Sequence, residues 1–366
     1  MKVLHVIKLD PRAAGGIERF AHELMDAQLD GGLDVHAVGC DTPGTKGLPP
    51  PRYGLTLART STTLFYLPLA PSFPRVVRAQ IARLAPDVVH VHWPNPLVLD
   101  LAPAIPAATR LVVHWQADID PAGAILPIRV AYEMAVRRFE SRLLARSAAV
   151  VATSRSYFGA SPVLKPYAEK VRVVPLGLGS VPAASSGVTW PMPGRPRVLF
   201  IGRAVPYKGF EVLLEALSRI AGASLVAVGD GPRLASWQAL ARRLGLVDRV
   251  AFTGHVDEPT KRGWLEASDV LCLPSLNRLE SFGVVQLEAA AAGRPVVAAD
   301  IPGSGVAEVA RAIEGSAVFR SGDAATLAEC LARYPSRDAR PSLPPRFRID
   351  EVAREIAAIY DAVTSR

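Results

Sequence analysis

Two blocks of alternating strand and helix patterns constrain the fold of this 366-residue chain more than any other feature. In the first block, short β-branched runs lie at 3–7, 33–39, 88–91, 111–114 and 149–153. Apolar residues at helical spacing lie between them, at 17–29, 75–84 and 128–146. Because strands that alternate with helices form parallel sheets covered by helices, the first block predicts one such domain.

The same alternation restarts after residue 196. Predicted strands lie at 197–201, 225–229, 250–253, 270–274 and 295–298, and predicted helices at 210–220, 234–244, 259–267 and 284–292. Between the blocks, residues 175–196 are rich in Pro, Gly, Ala and Ser, a composition typical of a linker. The length also favours two domains, since single cores stop growing beyond about 250–300 residues. The sequence therefore predicts an α/β protein with two Rossmann-like, doubly wound parallel-sheet domains.

Composition places the chain among ordinary globular proteins, with 49% hydrophobic and 21% charged residues. Its three cysteines, Cys40, Cys272 and Cys330, are far apart and lack metal-binding spacing, which favours reduced thiols in a cytoplasm. The apolar run after Met1 is broken by a histidine and a lysine, so we interpret it as a strand and not an export signal. No uninterrupted apolar stretch reaches ~18 residues, so no membrane-spanning helix is expected.

The net charge of +8 is concentrated in the N-terminal half, where residues 1–180 carry 20 Lys and Arg against 14 Asp and Glu. Arginines alternate with apolar residues along 128–146. Two interpretations stay open for this segment: a helix that rests on an anionic membrane surface, or a packed helix with a solvated basic face. Nucleic acid is not an expected partner, since no known binding motif and no aromatic-rich basic stripe is present.

The most informative motif is a pair of glutamates, Glu280 and Glu288, that bracket seven residues. Ser281, Phe282 and Gly283 lie where the chain is not yet helical, and Val284 begins a predicted helix. Backbone N–H groups at a helix start, together with the helix dipole, suit a diphosphate. Carboxylates accept hydrogen bonds from sugar hydroxyls. The motif therefore predicts a nucleotide-sugar site.

Two further loops follow predicted strands, where parallel sheets bind ligands. Arg203 and Lys208 lie between a strand and a helix, where both cations can reach one diphosphate. Gly15 and Gly16 open the first helix and let the backbone approach a ligand closely. Their spacing is not that of the G-x-G-x-x-G dinucleotide fingerprint, which argues against NAD.

The pattern Glu280, seven residues, Glu288 resembles the signature of the retaining glycosyltransferases of family 4, which have the GT-B fold. Gly15-Gly16-x-Glu-Arg and the segment from Gly202 to Gly209 also resemble elements of that family. The His90-Val-His-Trp-Pro-Asn-Pro segment is similar to that of members acting in bacterial polysaccharide assembly, mannosyltransferase-like enzymes among them. The resemblance implies an acceptor domain, 1–180 with a terminal helix 349–366 packed back on it, facing a donor domain, 181–348, across a cleft.

The resemblance also implies roles for individual residues. Glu280 would hold the donor hexose, Glu288 the ribose hydroxyls, and Arg203 and Lys208 the phosphates. The rest of the expected donor site is Gly15, Gly16, Ser281, Phe282, Gly283 and Val284, with the backbone of His255 and Val256 facing the base and the Gly229-Asp-Gly-Pro turn nearby. His114 matches the family's cleft histidine, with a catalytic role toward the donor or acceptor; a satisfied structural histidine is the alternative.

Two motifs raise the question of a metal. Asp118-Ile-Asp120 matches the Asp-x-Asp motif that binds metal in the other large glycosyltransferase fold, but Pro121 follows it and two cations already face the phosphates. His90 and His92 share one face of a strand, yet no third ligand is apparent, so zinc is not expected. The sequence predicts neither a metal nor any other cofactor.

Together these features predict a retaining, metal-independent hexosyltransferase of polysaccharide biosynthesis. The expected donor is a nucleotide diphosphate sugar, GDP-mannose-type in preference to UDP-linked, and the acceptor a glycan or a lipid-diphosphate-linked saccharide. The expected location is the cytoplasm, with peripheral contact at the anionic inner membrane face. Two alternatives stay open: a nucleotide-sugar epimerase of the same fold, and a non-catalytic protein that binds nucleotide sugars.

Overall fold

A computed structural model describes residues 1–13, 15–64, 67–98, 101–119, 126–179, 181, 183–184, 187–334 and 340–365. The chain divides into two compact units, one of Met1–Gly179 with Ile349–Arg366 and the other of Ser180–Arg348. Asp120 and Pro121 of the acidic motif lie outside the described residues, as do positions 180, 182, 185 and 186 of the predicted linker.

The first unit is built on a parallel sheet. Its strands are β1 (Lys2–Val6), β2 (Asp34–Cys40), β3 (Gly54–Ala58), β4 (Thr62–Leu64), β5 (Leu67–Leu69), β6 (Val88–Trp93), β7 (Arg110–Trp115), β8 (Ala149–Ala152) and β9 (Val171–Val173). Its first helices are α1 (Gly16–Asp30), α2 (Phe73–Leu84), α3 (Leu126–Arg146) and α4 (Arg155–Ala160). The described sheet has the order β3-β2-β1-β6-β7-β8-β9, and β4 and β5 form a separate antiparallel pair. The strand order therefore reverses between β1 and β6.

Burial on both faces explains why the central strands of this sheet lack a polar side. Every residue of β6 is buried, including its two histidines. Trp93 at the end of β6 stacks on Trp115 at the end of β7, with ring centroids 5.1 Å apart. A sheet covered by helices on both faces produces such uniformly buried strands.

The second unit repeats this plan. Its strands are β10 (Arg197–Ile201), β11 (Ser224–Val228), β12 (Val250–Gly254), β13 (Val270–Leu273), β14 (Val296–Asp300) and β15 (Ala317–Arg320). Its helices are α5 (Phe210–Ser218), α6 (Leu234–Arg243), α7 (Glu258–Ala267), α8 (Val285–Ala291), α9 (Val306–Ala312) and α10 (Ala324–Leu331). The described sheet is parallel, with the order β12-β11-β10-β13-β14-β15, and its order reverses between β10 and β13.

The last helix, α11 (Ile349–Thr364), belongs to the first unit. Its buried residues Val352, Ile356 and Tyr360 recur every four positions and form one apolar face. The Ile349 N–H donates a hydrogen bond of 3.1 Å to the carbonyl of Leu178. Helix α11 packs mainly against α1.

The predicted fold class, two Rossmann-like parallel-sheet domains, is confirmed. The predicted strands and helices are present with small differences at their ends, as α8 shows by beginning at Val285. The sequence analysis missed eight elements: β3, β4, β5, β9, β15, α4, α9 and α10. Three of the missed strands, β3, β9 and β15, lie at the edges of the two parallel sheets, where only one neighbour pairs with them and the hydrophobic pattern is weak. Strands β4 and β5 have three residues each.

Helix α3 carries the basic segment noted in the sequence. Val136, Leu143 and Leu144 are buried, while Val130 is 47% and Met134 71% exposed. The arginines at 137, 138 and 142 are exposed as well. One side of α3 is therefore packed, and its outer side combines cations with two exposed apolar side chains. Among the described residues, no helix is both long and apolar enough to cross a bilayer.

A buried carboxyl on α3 provides a test of stability against pH. Burial raises the pKa of Glu140 to about 7; the charge of Asp118 adds to this effect and that of Arg137 opposes it. Because the folded protein holds this proton more tightly than the unfolded chain, its stability should fall as the pH rises from about 4.5 to about 7. We expect Glu140→Gln to raise the Tm at pH 8 by about 2–4 °C and to change it little at pH 4. Equal effects at both pH values, measured by thermal unfolding, would contradict the assignment.

Candidate functional site

The strand order of the second unit brings two separate loops to the same end of its sheet. Strand β10 pairs with β11 on one side and with β13 on the other, so the reversal point lies between β10 and β13. The loop after β10 contains Arg203 and Lys208, and the loop after β13 contains Glu280. In doubly wound sheets, ligands bind beside the carboxyl ends of the strands at this point.

Lys208 and Glu280, 72 positions apart in the sequence, form an ion pair in which Lys208 Nζ lies 2.5 Å from Glu280 Oε2. Both side chains are only 12% exposed. The Ser275 hydroxyl donates to the same carboxylate oxygen at 3.1 Å. Burial is the largest single influence and lowers the pKa of Lys208, but the charge of Glu280, the neighbouring Tyr207 and the hydrogen bond to Glu280 together outweigh it, so the net pKa is raised. Lys208 is therefore a cation at neutral pH.

The two loops are joined by backbone contacts as well. The Leu276 N–H donates to the Tyr207 carbonyl at 2.8 Å. Gly209, which follows Lys208, has φ +64°, and a Cβ there would lie 2.1 Å from the carbonyl oxygen of Pro274. Only glycine allows this conformation and this close approach, so Gly209 positions Lys208 against the second loop.

Two hydrogen bonds and a glycine with positive φ fix the backbone that follows Glu280. The Ser304 hydroxyl donates to the Glu280 carbonyl, and the Gly305 N–H donates to the Ser281 carbonyl at 2.8 Å. Gly283 has φ +75°, and a Cβ there would lie 2.6 Å from Leu273 Cδ2.

The turn before α8 leaves backbone donors available. Within the described part of the chain, the backbone N–H groups of Phe282, Gly283 and Val284 donate no hydrogen bond. Unpaired N–H groups at a helix start favour an anion. The buried ring of Phe282 packs edge-on against Phe347, with centroids 6.1 Å apart, and anchors this turn.

Glu288 lies in α8 and is 6% exposed. Lys261 of α7 contacts both of its carboxylate oxygens at 3.0 Å and also Glu258 at 2.8 Å. The sequence analysis missed Lys261, because nothing in the local pattern of α7 indicates that it faces α8. The ribose-binding role of Glu288 stays a prediction.

Arg203 is exposed and hydrogen-bonds the Tyr207 phenol. Burial raises the pKa of Tyr207, while the neighbouring cations Lys208 and Arg203 oppose that rise. The phenol is therefore neutral, and Arg203 keeps its positive charge at the edge of the site.

The remaining predicted loops lie beside the Arg203 loop or follow the next strand. The Ala204 N–H donates to the Asp230 carbonyl at 2.8 Å, so the Gly229–Pro232 turn packs on the Arg203 loop. His255 follows β12 and is exposed, and Val256 is half-buried. Their contact with a base stays a prediction.

In the first unit, Gly15 and Gly16 are exposed at the start of α1. A Cβ on Gly15 would lie 2.3 Å from Glu18 Oε2, so this glycine makes room for a carboxylate. The Glu18 carboxylate at this turn competes with any anionic ligand for the backbone N–H groups at the start of α1. The phosphate-binding role of the two glycines stays a prediction.

His114 lies in β7 and is 0% exposed. It belongs to a group of four buried histidines, His5, His90, His92 and His114, which we call the histidine cluster. Burial lowers the pKa of His114 to about 3, so its imidazole is neutral at pH 7. The catalytic role of His114 stays a prediction, because in this structure the side chain has no contact with solvent.

The expectation that His90 and His92 lack a third metal-ligating neighbour was wrong. His5, His90 and His92 each place one ring nitrogen within 4.8 Å of the others. The cause is strand register, since β1 pairs with β6 so that His5 lies directly opposite His90. Aligning the two predicted parallel strands would have indicated that His5 lies beside His90.

Two Rossmann-like domains, with cations and carboxylates gathered at the reversal point of the second, define the GT-B class of sugar-transferring proteins. The first domain matches the model "Glycosyl transferase 4-like domain" over residues 15–177. The second matches "Glycosyl transferases group 1" over residues 195–335. The chain belongs to the group 1 glycosyltransferases, the family whose resemblance the sequence motifs predicted.

Relatives and solved structures agree with this family. The chain is 32% identical to D-rhamnosyltransferase WbpZ of Pseudomonas aeruginosa, over 82% of this chain and 78% of that protein. It is 29% identical to O-antigen chain mannosyltransferase C of Escherichia coli, over 90% and 88%. Sucrose-phosphate synthase from Thermosynechococcus elongatus superposes with a TM-score of 0.76 at 19% identity, covering 100% of both chains. Anabaena HepE in complex with UDP and glucose gives 0.72 at 18% identity, covering 99% of this chain and 100% of that one. These structures show a shared fold.

Proposed function

We propose that this glycosyltransferase moves a hexose, with retention of configuration, from a nucleotide diphosphate sugar to a glycan or lipid-linked saccharide. The observation that carries the proposal is the Lys208–Glu280 pair beside the N–H groups of Phe282–Val284, all at one reversal point. Cations and amide donors match a diphosphate, and a carboxylate matches sugar hydroxyls. The family supports transfer in polysaccharide or glycolipid biosynthesis.

The chemistry follows from where charge develops. The bond between the anomeric carbon and the diphosphate breaks, and its electron pair passes to the leaving phosphate oxygen. Arg203, Lys208 and the amides of the Phe282–Val284 turn oppose this growing negative charge. The acceptor hydroxyl oxygen forms the new bond from the same face and gives its proton to a phosphate oxygen.

Glu280 holds the hexose while its ring becomes electron-poor. The carboxylate accepts hydrogen bonds from sugar hydroxyls, and its negative charge stabilises a cationic ring. Lys208 and Ser275 position this carboxylate through one of its oxygens, Oε2. The other oxygen is left to face the sugar.

Glu288 and the loop after β12 complete the nucleoside end of the proposed site. Glu288 accepts from the ribose hydroxyls, and Lys261 orients its carboxylate through contacts of 3.0 Å. The backbone of His255 and Val256 contacts the base.

A GDP-linked mannose or deoxymannose is the favoured donor. Support comes from relatives named as D-rhamnosyl- and mannosyltransferases, since D-rhamnose is a 6-deoxymannose. A 119-residue segment is also 40% identical to a GDP-mannose-dependent mannosyltransferase of Mycobacterium tuberculosis, covering 30% of this chain and 31% of that protein. A UDP-sugar is the second choice.

A divalent cation is not required for transfer in this proposal, because Arg203, Lys208 and the helix start supply the positive charge. Transfer assayed without added Mg²⁺ or Mn²⁺ should proceed at the rate measured with them. A strict dependence on added cation would contradict this part of the proposal.

The acceptor is proposed to be lipid-diphosphate-linked, reached from the cytoplasmic face of a membrane. Support comes from the outer side of α3, where Val130 and Met134 are exposed beside arginines. Co-sedimentation with anionic but not with neutral vesicles is the expected result. Equal binding to both kinds of vesicle would contradict it.

The deciding experiment is a thermal-shift panel of GDP-, UDP- and ADP-sugars on the full chain. The true donor should raise the Tm most, because it binds only the folded state. Arg203→Ala should weaken donor binding by about 10–100-fold, the loss expected for charge-assisted hydrogen bonds to phosphate. Arg219→Ala, an exposed arginine of the same unit, should bind the donor as the unmodified chain does.

The panel also separates the alternatives. If no nucleotide sugar changes the Tm, the proposed site is wrong. If the donor alone is converted to an isomeric sugar without acceptor, the chain is an epimerase. If a donor binds but is neither transferred nor isomerised with any acceptor extract, the chain is a binding protein.

A further inference from the structure

The histidine cluster lies inside the first unit, on neighbouring strands of its sheet. His5 comes from β1, His90 and His92 from β6, and His114 from β7. All four side chains are at most 1% exposed. The ring centroids of His90 lie 4.8 Å from His5, 4.7 Å from His92 and 5.4 Å from His114. The buried nitrogens of four imidazoles this close together need hydrogen-bond partners or a shared cation.

The hydrogen bond to Gln28 determines which nitrogen of His5 is free. His5 Nε2 lies 2.8 Å from Gln28 Oε1. Because an amide oxygen only accepts, Nε2 carries the proton and Nδ1 carries the lone pair. That lone pair points at His92 Nε2, 3.0 Å away.

The side-chain amide of Gln116 determines which ring nitrogen of His92 carries the proton. Its amide nitrogen is placed 3.2 Å from His92 Nδ1, while its Oε1 is buried without a partner in the described chain. As placed, the amide donates to His92 Nδ1, so the proton of His92 is on Nε2 and is donated to His5 Nδ1. Turning the amide by 180°, which changes no shape, lets Oε1 accept from His92 Nδ1–H. In that turned form His92 Nε2 is unprotonated, and its lone pair and that of His5 Nδ1 are both available to a cation.

His90 has the same arrangement. Its Nδ1 lies 2.5 Å from the Tyr360 hydroxyl, which also accepts from Gln28 Nε2 at 3.2 Å. Its Nε2 is buried and makes no hydrogen bond within the described residues. With the Gln116 amide turned, each of the three histidines has an oxygen against one nitrogen and an available second nitrogen.

We propose that the histidine cluster binds one transition-metal ion of the Zn²⁺ class through His5 Nδ1, His90 Nε2 and His92 Nε2. Metal-bound histidines donate their other N–H to an oxygen, the role that Gln28, Tyr360 and Gln116 fill. Zn–N bonds of about 2.0–2.1 Å place ligand nitrogens roughly 3.3–3.4 Å apart. His5 Nδ1 and His92 Nε2 lie 3.0 Å apart, and the three rings place one nitrogen each within 4.8 Å of the others, so binding requires the shortest contact to lengthen slightly and any longer one to shorten.

His114 lies beside this site but outside the group of three whose nitrogens lie within 4.8 Å of one another. Its two ring nitrogens are buried and make no hydrogen bond within the described chain, and its ring stacks with that of His92 at 5.8 Å. The three ligands lie in the interior of the unit, which is typical of a structural ion and not of one that binds a substrate. The ion would join β1 and β6 and, through Tyr360, the terminal helix.

Burial also keeps the ligands in the form that binds metal. It lowers the pKa of His5 to about 4, against a hydrogen bond to Gln28 that raises it, and it lowers the pKa values of His90 and His92 well below the usual value. Neutral imidazoles have no proton to lose before they coordinate an ion.

The test is the metal content of the full chain, produced without a histidine tag and with zinc in the medium. We expect about one Zn²⁺ per chain by mass spectrometry after dialysis, and a tetrahedral Co²⁺ spectrum after refolding with cobalt. His90→Gln should retain less than about a tenth of that metal. His36→Gln, a half-buried histidine of β2 outside the cluster, should retain all of it.

If the His90→Gln variant does not fold, refolding of the unmodified chain with and without metal still tests the proposal. The unmodified chain, unfolded and refolded with chelator or with Zn²⁺, should have a higher Tm with Zn²⁺. Metal-free protein from zinc-rich medium, together with equal Tm values and no Co²⁺ spectrum after refolding, would overturn the proposal. Sugar transfer is not part of this readout, so the result is independent of the proposed donor site.

Discussion

Glu280→Gln is expected to lower kcat/KM for sugar transfer by about 10²–10³-fold, the loss seen when one electrostatic partner of a transition state is removed. Glutamine keeps the shape of the side chain and can still accept from Ser275. It removes the negative charge that we propose to face the hexose when the sugar ring becomes cationic. The loss should therefore appear in kcat more than in donor affinity.

The measurement is steady-state transfer with the donor found in the thermal-shift panel. Glu266→Gln is the matched control, because Glu266 is a carboxylate of the same unit, in α7, that pairs with Arg262 at 2.7 Å. This control should keep normal turnover. Near-normal turnover in Glu280→Gln, with an unchanged unfolding transition, would remove Glu280 from the proposed mechanism.

Lys208→Met should have two separable effects, one on binding and one on stability. It removes a cation from the diphosphate, which should weaken donor binding by about 10–100-fold. It also leaves the Glu280 carboxylate, 12% exposed, without its cation. Breaking a buried pair in this way costs about 3–5 kcal/mol, and the partial exposure here favours the lower end of that range.

A double-mutant cycle distinguishes the two effects. Combining Lys208→Met with Glu280→Gln removes the unpaired charge, so the double variant should be more stable than Lys208→Met alone. Denaturant unfolding measures these free energies, and isothermal titration measures donor binding. Strictly additive losses of stability would show that the 2.5 Å contact between the two side chains contributes no coupling.

Much of the fold could be predicted because both domains repeat a simple local pattern. The β-branched runs at 3–7 and 197–201 predicted β1 and β10, and the alternation of strands with helices predicted parallel sheets. The edge strands β3 and β15 were missed. Edge strands pair on one side only and carry less of the burial that makes central strands recognisable.

For the candidate site, the sequence predicted which loops follow the strands, while the roles of their residues stay predictions. Residues that follow predicted strands, Arg203, Lys208 and Glu280 among them, lie together at the reversal point of the second sheet. The contact that joins Lys208 to Glu280 spans 72 positions, and no local spacing indicates it. Lys261 was missed for the same reason, because its contact with Glu288 depends on how α7 packs beside α8.

The sequence by itself determined the two α/β domains, the glycine and carboxylate loops that follow their strands, and the family. Only the tertiary structure decided which side chains meet: Lys208 with Glu280, Lys261 with Glu288, and His5 with His90 and His92. The physical reason is that hydrophobic period and turn chemistry are properties of neighbouring residues. Side-chain pairing depends instead on strand order and register, which are properties of segments far apart in the chain.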